Sequence, residues 1–374
     1  MGKRCDGLFD CSDKSDEYQC NKVLINKEMY VKEIPPFRHG TSVKIHVSIY
    51  LLSISKIELP STFNAKIKLV LNWQDYRLTF TNLQKSGNII NEETRKKLWT
   101  PPIRFSNTQN GILLNDEEAR MNVLREGNYA LNDIKDLHEA RLFKGAENTL
   151  RYSREYKMDF ECDFNLELYP FDSQTCTVAL DIPDFFYDYM DLIPLETGNF
   201  GTAELEQFWV TNVSLQSFGN NTDVKCMIHL KRIPWYHVAT TYAPILCIFI
   251  MVLVTLFIDQ SHFEATVMVS VTSMLVMYTL FQSITLSMPS TAYMKLMDYW
   301  LFFGLILPFI VFIILVSTEL LGRQDDSRID PASMYPRDSK NSLWWCKCFL
   351  PLLTLLFVVS YLIIVILVYI EFKF

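Results

Sequence analysis

The sequence predicts a membrane protein made of an all-β, immunoglobulin-like β-sandwich followed by an all-α domain of four transmembrane helices. Charge distribution is the first observation: the 374-residue chain has 35 basic and 42 acidic residues, but residues 235–321 hold very few of them. Those few are Asp259, Glu264, Lys295, Asp298 and Glu319. Short alternating runs of apolar and polar residues in the preceding half are the second observation. The formal net charge of −7 argues against nucleic acid as a partner, because such a partner needs a basic face.

Residues 23–234 are predicted to form the β-domain, after a short tag at residues 1–22. Apolar and polar residues alternate in runs such as 43–50 and 66–73, with Pro, Gly and Asn clusters between the runs. That spacing is typical of a β-sandwich. Residues 116–146 differ, because they are rich in charged residues and poor in β-branched ones. We therefore expect a helical or irregular surface insertion there.

Residues 235–374 are predicted to form the transmembrane domain. A membrane helix needs ~20 apolar residues, and four segments meet this requirement, at about residues 235–258, 265–287, 299–320 and 349–371. The second of these is rich in Ser and Thr, whereas the others are rich in Leu, Ile, Phe and Val. A short cytoplasmic loop, residues 322–347, is expected between the last two.

Cysteines and glycosylation triplets indicate which side of the membrane the front half occupies. Five cysteines at motif-like spacings suggest an oxidising compartment, namely Cys5, Cys11, Cys20, Cys162 and Cys176. Asn212 and Asn220 each begin a glycosylation triplet. An even number of spans places both termini on one side. We therefore expect a multi-pass protein of the plasma membrane with both termini extracellular, and, since no signal peptide is visible, a processed N-terminus.

A combination of short motifs resembles the Cys-loop receptors, the animal pentameric ligand-gated ion channels. Cys162 and Cys176 enclose a 13-residue loop with Tyr169-Pro-Phe-Asp172 at its middle, in a β-domain that precedes four spans. Further matching positions are Trp73-x-Asp75-x-Arg77-Leu78, Trp99-x-Pro101, Arg232 and Pro244. The resemblance covers residues ~25–374. It implies a Cys162–Cys176 disulfide, a symmetric pentamer with four further identical or different subunits, a small-molecule agonist and contacts with membrane lipid.

The same resemblance makes the second span the pore helix. Residues at steps of three and four lie on one helical face, namely Glu264, Met268, Thr272, Leu275, Thr279, Gln282 and Leu286. Five copies of Glu264 at the pore mouth would select cations, and five copies of Leu275 can gate by dewetting. Anion-selective relatives typically have a Pro-Ala-Arg run at this mouth, which is absent here. Alternatively, the hydroxyl groups only hydrogen-bond neighbours or their own backbone.

The resemblance also implies a ligand site at subunit interfaces, usually an aromatic box for an amine. The matching positions on one face are Ser106, Pro183, Phe185 and Phe218, and those on the opposite face are Lys68, Arg151 and Ser153. The box is poor in aromatic residues and two cations face it, so we expect a ligand with an anionic group. In the alternative interpretation, Lys68 and Arg151 are ordinary solvated strand residues.

Coupling between the two domains would depend on contacts at the membrane surface, again by resemblance. The residues that it implies are Glu58, Asp172, Arg232 and Pro289. A cluster of unlike charges at a domain boundary can also serve only to dock the domains.

The N-terminal tag resembles the second half of an LDL-receptor class A module over residues 5–20. Only three of that module's six cysteines are present, and by correspondence Cys5 pairs with Cys20. The same resemblance makes four carboxylates a weak calcium site, namely Asp6, Asp10, Asp16 and Glu17. We expect that the protein requires no cofactor.

The predicted function is a subunit of a pentameric ligand-gated channel with a preference for cations. A non-conducting cell-surface binding receptor or accessory subunit is the alternative, although a mere anchor does not need a charge-free, hydroxyl-rich second span with a carboxylate at one end. The chain has six histidines but shows no convincing catalytic or metal cluster, so it is not expected to be an enzyme.

Overall fold

The structure is a computed structural model of the 374-residue chain. It describes residues 12–13, 22–26, 28, 30–38, 40–58, 61–110, 119–128, 141–219, 221–258, 262–288, 291–326 and 338–371. Several predicted site residues lie outside these ranges, namely Cys5, Asp6, Asp10, Asp16, Glu17, Cys20, Asn220 and Pro289. The described part forms two compact units. The first holds most of the β-domain, and the second holds residues 164–174, 206–209 and 230–374.

The β-domain contains fourteen strands among the described residues. In chain order these are β1 Val23–Leu24, β2 Val43–Glu58, β3 Thr62–Trp73, β4 Thr79–Thr81, β5 Ile89–Ile90, β6 Arg104–Phe105, β7 Thr108–Asn110, β8 Arg120–Leu124, β9 Leu142–Lys144, β10 Thr149–Glu161, β11 Ser173–Asp181, β12 Met190–Asn199, β13 Phe208–Phe218 and β14 Asp223–Arg232. A short helix, α1 Glu92–Arg95, begins at the N-cap residue Asn91, whose side chain accepts a hydrogen bond from the backbone N–H of Thr94.

Two large sheets face each other and confirm the predicted sandwich. One sheet has the order β12-β2-β3-β10-β8-β5 with β7 beside β10, and the other has the order β13-β14-β11-β6. The ring of Phe105 on β6 contacts those of Tyr156 and Phe160 on β10, with centroids 5.0 and 5.9 Å apart. The predicted disulfide joins Cys162, which follows β10, to Cys176 on β11. Aromatic side chains therefore fill part of the core between the sheets, and the disulfide links the end of β10 to β11.

The expected insertion at residues 116–146 is only partly an insertion. Residues Arg120–Leu124 form β8, which pairs with β10, and Leu142–Lys144 form β9, which pairs with β4. In β8 the side chains alternate, with Met121 and Val123 buried and Arg120 exposed. The one charged residue of β8, Arg120, occupies an outward position, and the flanking sequence is rich in charge, which is why this segment resembles a solvated surface loop in the sequence. The remainder of the predicted insertion lies outside the described ranges.

Four helices are long and apolar enough to cross a membrane, in agreement with the predicted spans. They are α2 Trp235–Thr255, α3 Phe263–Ser287, α4 Leu296–Asp326 and α5 Asp338–Glu371. Both α4 and α5 extend into residues 322–347, so the predicted loop between them is shorter than expected. Residues Val238–Tyr242 of α2 form a π-helical turn.

Aromatic side chains pack α2, α4 and α5 together. The hydroxyls of Tyr242 on α2 and Tyr361 on α5 are 2.7 Å apart, and Trp300 on α4 lies against both rings. Phe303 on α4 stacks on Phe357 of α5 with centroids 3.8 Å apart. The pore-helix candidate α3 is positioned by α4, where a Cβ at Gly304 would lie only 2.4 Å from Met277 Cε. Glycine therefore leaves the space that the Met277 side chain occupies.

Candidate functional site

The seven-stranded sheet brings the predicted cationic ligand residues onto one face. In the register of β3 and β10, Arg151 lies opposite Asn72, Ser153 opposite Val70, and Glu155 opposite Lys68. Because side chains two residues apart on a strand point to the same side, Lys68, Ser153 and Arg151 share this face. All three are half-buried. The structure thus groups the three residues that were predicted for one side of a ligand site.

A cavity of about 650 Å³ opens on this face. Lys68, Arg151 and Ser153 line it, together with Tyr50 of β2 and the exposed ring of Phe200. The rings of Tyr50 and Phe200 have centroids 5.2 Å apart. Ligand cavities commonly combine an apolar wall with a few polar groups that fix orientation. This cavity has that composition.

Arg120 is a third cation in the same lining, and the sequence analysis did not identify it. It begins β8, where it lies directly opposite Ser153. The sequence pattern that could have revealed it is the alternation of apolar and polar residues over 119–124, which is typical of a strand. The charge-rich sequence around it obscured this pattern. The outward-facing residues of β8 therefore belong to the candidate ligand face.

Two carboxylates near the cavity already have partners. Glu155 forms a 2.7 Å ion pair with Lys66, although Lys68 lies opposite it in the register. Glu196 accepts a hydrogen bond from the Tyr50 hydroxyl at 2.7 Å. Burial, and then this bond, raise the pKa of Tyr50, so its hydroxyl remains a donor at neutral pH. The negative charge at the cavity is thus partly neutralised, and the cations dominate.

Arg151 is oriented from within the sheet. Its Nε donates to Asn72 Oδ1 at 3.1 Å. It also lines a second cavity of about 600 Å³ on the same sheet, where Arg38, Lys44 and His46 join it. Two further cations, Arg38 and Lys44, thus lie past Arg151, and the carboxylate of Glu126 lines the same cavity.

The other predicted ligand residues lie at the four-stranded sheet. Ser106 follows β6 and its backbone N–H donates to Ala179 on β11 at 3.1 Å. Pro183 caps a short 3₁₀ turn, Asp184–Phe186, in which Phe185 is 82% exposed. Phe218 ends β13, and Lys225 Nζ lies 4.7 Å from its ring centroid. None of these four residues lines the 650 Å³ cavity. Within one chain, the two predicted sets of ligand residues therefore do not meet in this cavity.

The face of Phe218 is already covered by a cation of the chain itself. A lysine over an aromatic ring uses the attraction that a ligand amine would otherwise exploit. At the opposite edge of the same sheet, Arg104 on β6 pairs with both oxygens of Asp181, at 2.9 and 2.8 Å. Neither arrangement offers a free aromatic cage for an amine.

Asp172 and Arg232 form a buried ion pair in the second unit. Arg232 Nε donates to Asp172 Oδ1 at 2.6 Å and Nη2 donates to Oδ2 at 3.1 Å, and both side chains are at least 98% buried. Tyr169 and Phe208 place their rings 4.6 and 4.3 Å from the guanidinium carbon. Gln174 Nε2 also donates to Asp172 Oδ2, at 2.5 Å. Two of the four predicted coupling residues are thus in direct contact.

The loop between Cys162 and Cys176 is also hydrogen-bonded to residues at the start of α2 and of α4, the helices before and after α3. The Tyr169 hydroxyl lies 2.9 Å from His237 Nε2 at the start of α2. Burial raises the pKa of Tyr169 to about 12, although Arg232 lowers it, so the hydroxyl keeps its proton. Leu166 N–H donates to the Tyr293 hydroxyl at 2.9 Å, and Leu296 N–H at the start of α4 donates to Glu167 O at 2.7 Å.

Glu58 has a local partner instead. It forms a 2.5 Å pair with Lys56 on its own strand, and both side chains are exposed. Pro289, the fourth predicted coupling residue, lies outside the described residues. The structure therefore supports a cluster centred on Asp172 and Arg232, without assigning Glu58 to it.

The predicted pore face of α3 is exposed along its whole length. Met268 is 65% exposed, Leu275 63% and Leu286 86%, and Glu264, Thr272, Thr279 and Gln282 are exposed as well. The opposite face is buried and carries Thr266, Ser270, Ser273 and Met277. Hydroxyl groups on both faces donate to carbonyls of their own helix, as at Ser270 and Thr272. These hydroxyl-to-carbonyl bonds therefore occur on both faces of α3. The two faces differ instead in the exposure of their side chains.

A model of the neurotransmitter-gated ion-channel ligand binding domain matches residues 17–252, which is more than half of the chain. The chain belongs to the Cys-loop receptor family. Membership agrees with the prediction that the protein is not an enzyme, because the family consists of receptors.

Two relatives of this Cys-loop receptor chain are distant from it in sequence. The glutamate-gated chloride channel subunit beta of Haemonchus contortus is 24% identical over 300 residues, which is 75% of this chain and 65% of the relative. The glutamate-gated chloride channel of Drosophila melanogaster is 23% identical over 308 residues, 79% of this chain and 62% of the relative. The chain thus spans less than two thirds of the length of these relatives.

Proposed function

We propose that the chain is one subunit of a pentameric ligand-gated ion channel in the plasma membrane, with both termini extracellular. Its agonist is a small molecule with an anionic group, bound between the cationic face of one subunit and the Phe185 and Phe218 face of the next. The cavity lined by Lys68, Arg120 and Arg151 is the observation that carries the ligand class. A non-conducting receptor would bind the same ligand without current.

Three observations support an anionic ligand over an amine. Cations outnumber unpaired carboxylates in the cavity, and Arg151 is held in place by Asn72. Lys225 covers the ring of Phe218. Both relatives are named as glutamate-gated, and glutamate carries two carboxylates at neutral pH. L-glutamate is therefore the first ligand to test.

Neutralising a cavity cation is expected to weaken agonist binding. Lys68→Met and Arg151→Met should each cost about 1.5–3 kcal/mol, the range for hydrogen bonds to charged groups. Binding of labelled L-glutamate to the purified full-length assembly measures this loss. Lys157→Met on β10, outside the cavity lining, is the matched control and should bind as the parent does. Unchanged affinity in both cavity variants would favour the solvated-strand interpretation.

We also propose that the pore prefers cations. Glu264 is exposed at the first turn of α3, on the same face as Leu275, so five copies would form a carboxylate ring. The comparisons do not support this preference, since both relatives are named chloride channels. The mouth of α3 lacks the Pro-Ala-Arg run that the sequence analysis associates with anion selectivity, and this favours cations.

Replacing the Glu264 carboxylate is expected to abolish the cation preference. The parent reversal potential should follow sodium when external NaCl is diluted, and Glu264→Gln should bring the permeability ratio toward unity. Glu319→Gln removes a carboxylate from α4 rather than from the pore helix, and it should leave the ratio unchanged. A parent channel whose reversal potential follows chloride would contradict the cation preference and show that this channel, like its two named relatives, conducts chloride.

A further inference from the structure

Met268 is an unusual side chain for its place on the pore face of α3. It is 65% exposed and lies four residues from the carboxylate of Glu264 and four residues from the hydroxyl of Thr272. Those steps place the thioether between two polar groups on one helical face. The Thr272 hydroxyl donates to Met268 O at 2.8 Å and to Val269 O at 3.0 Å. Its proton is thus directed to the backbone, and its oxygen lone pairs remain available to a cation.

Fivefold symmetry turns one thioether into a ring of five. Thioether sulfur is a soft ligand that prefers soft monovalent metal ions such as Cu⁺ over hard ions such as Na⁺, Mg²⁺ or Ca²⁺. A carboxylate ring one turn away raises the local concentration of any cation. Hard cations would therefore pass the sulfur ring without binding, whereas a soft cation would be retained.

We infer that the five Met268 side chains form a binding site for one soft monovalent metal ion, Cu⁺ or Ag⁺, inside the pore. The inference rests on the proposed function, because only the assignment of α3 as the pore helix brings the five thioethers around one axis. A bound ion blocks the path of other cations, so the same site makes the channel sensitive to silver.

Silver binding to the purified full-length assembly tests the site without requiring current. After desalting, mass spectrometry of the metal should find one Ag⁺ fewer per assembly in Met268→Leu than in the parent. Met268→Ile lacks the sulfur as well and must behave in the same way. Exposed Cys247 and Cys348 are present in every variant, so silver held by their thiols cancels in the difference. Equal silver content in the parent and in both variants would overturn the site.

Block of the current provides the second measurement. Parent current should be blocked by Ag⁺, and Met268→Leu should lose at least tenfold in sensitivity. Met274→Leu removes a methionine of α3 from outside the pore face and should keep the parent block. Channels blocked equally with and without the Met268 sulfur would overturn the site while leaving the channel proposal intact. Silver bound through Met268 in an assembly that never conducts would instead support the ring and overturn the channel proposal.

Discussion

Asp172→Asn is expected to destabilise the second unit by about 3–5 kcal/mol, the range for removing one partner of a buried ion pair. The amide has nearly the shape of the carboxylate, but it leaves the Arg232 guanidinium buried without a counter-charge. Arg232 Nη1 is buried and has no hydrogen-bond partner among the described residues. Loss of the Asp172 charge would therefore add to a donor of Arg232 that is already unsatisfied. The rings of Tyr169 and Phe208 offset only part of the lost charge interaction.

Thermal unfolding of the detergent-purified chain measures this effect. Asp172→Asn should lower the unfolding midpoint and the yield of protein at the cell surface. Glu58→Gln is the matched control, because it removes an exposed partner from the Lys56–Glu58 pair. It should leave both quantities near those of the parent. An Asp172→Asn variant with the stability of the parent would show that the pair contributes little.

The pair also lies close in sequence to the first span. Arg232 ends β14, three residues before α2 begins, and Asp172 belongs to the Cys-loop. Within this loop, Glu167 O accepts a hydrogen bond from the N–H of Leu296 at the start of α4. The Tyr169 hydroxyl lies within hydrogen-bond distance of His237 in α2. Since α3 connects α2 to α4, these contacts hold the helices on both sides of α3. The role of the pair in coupling stays a prediction.

Much of the fold could be predicted because its signals are local. Runs of ~20 apolar residues identify spans wherever they occur, and alternation identifies long strands such as β2 and β3. The short strand β8 escaped prediction because its two buried residues, Met121 and Val123, lie in a charge-rich stretch of sequence. The membership of residues 164–174 in the second unit depends on contacts with residues far along the chain, which no local pattern contains.

The candidate site was predictable to the extent that a motif marks each residue. Lys68, Ser153 and Arg151 were found by resemblance, and the register then placed them on one face. Asn72 and Arg120 were missed because their role comes from the strand beside them. The coupling role of Glu58 stays a prediction, and the structure adds only that its exposed side chain pairs with Lys56.

Leu275→Thr is expected to open the channel without agonist. Leu275 lies midway along α3, twelve residues from each end, and is 63% exposed on the pore face. Its neighbours on that face, Thr272 and Thr279, carry hydroxyls, so five copies of Leu275 around the proposed pore would form an apolar ring between two wetter ones. Five apolar side chains at a constriction favour a dry, closed pore. Five threonines would keep it wet.

Spontaneous current, together with a leftward shift of agonist sensitivity of about tenfold, or ~1.4 kcal/mol, is the expected result for Leu275→Thr. Val276→Thr is the matched control: it changes an exposed β-branched residue next along the same helix, about 100° around the helix axis from Leu275. It should add no leak. Whole-cell recording of the two variants beside the parent therefore separates a gate at Leu275 from a general loosening of α3. A Leu275→Thr channel without spontaneous current and with the agonist sensitivity of the parent would place the gate elsewhere.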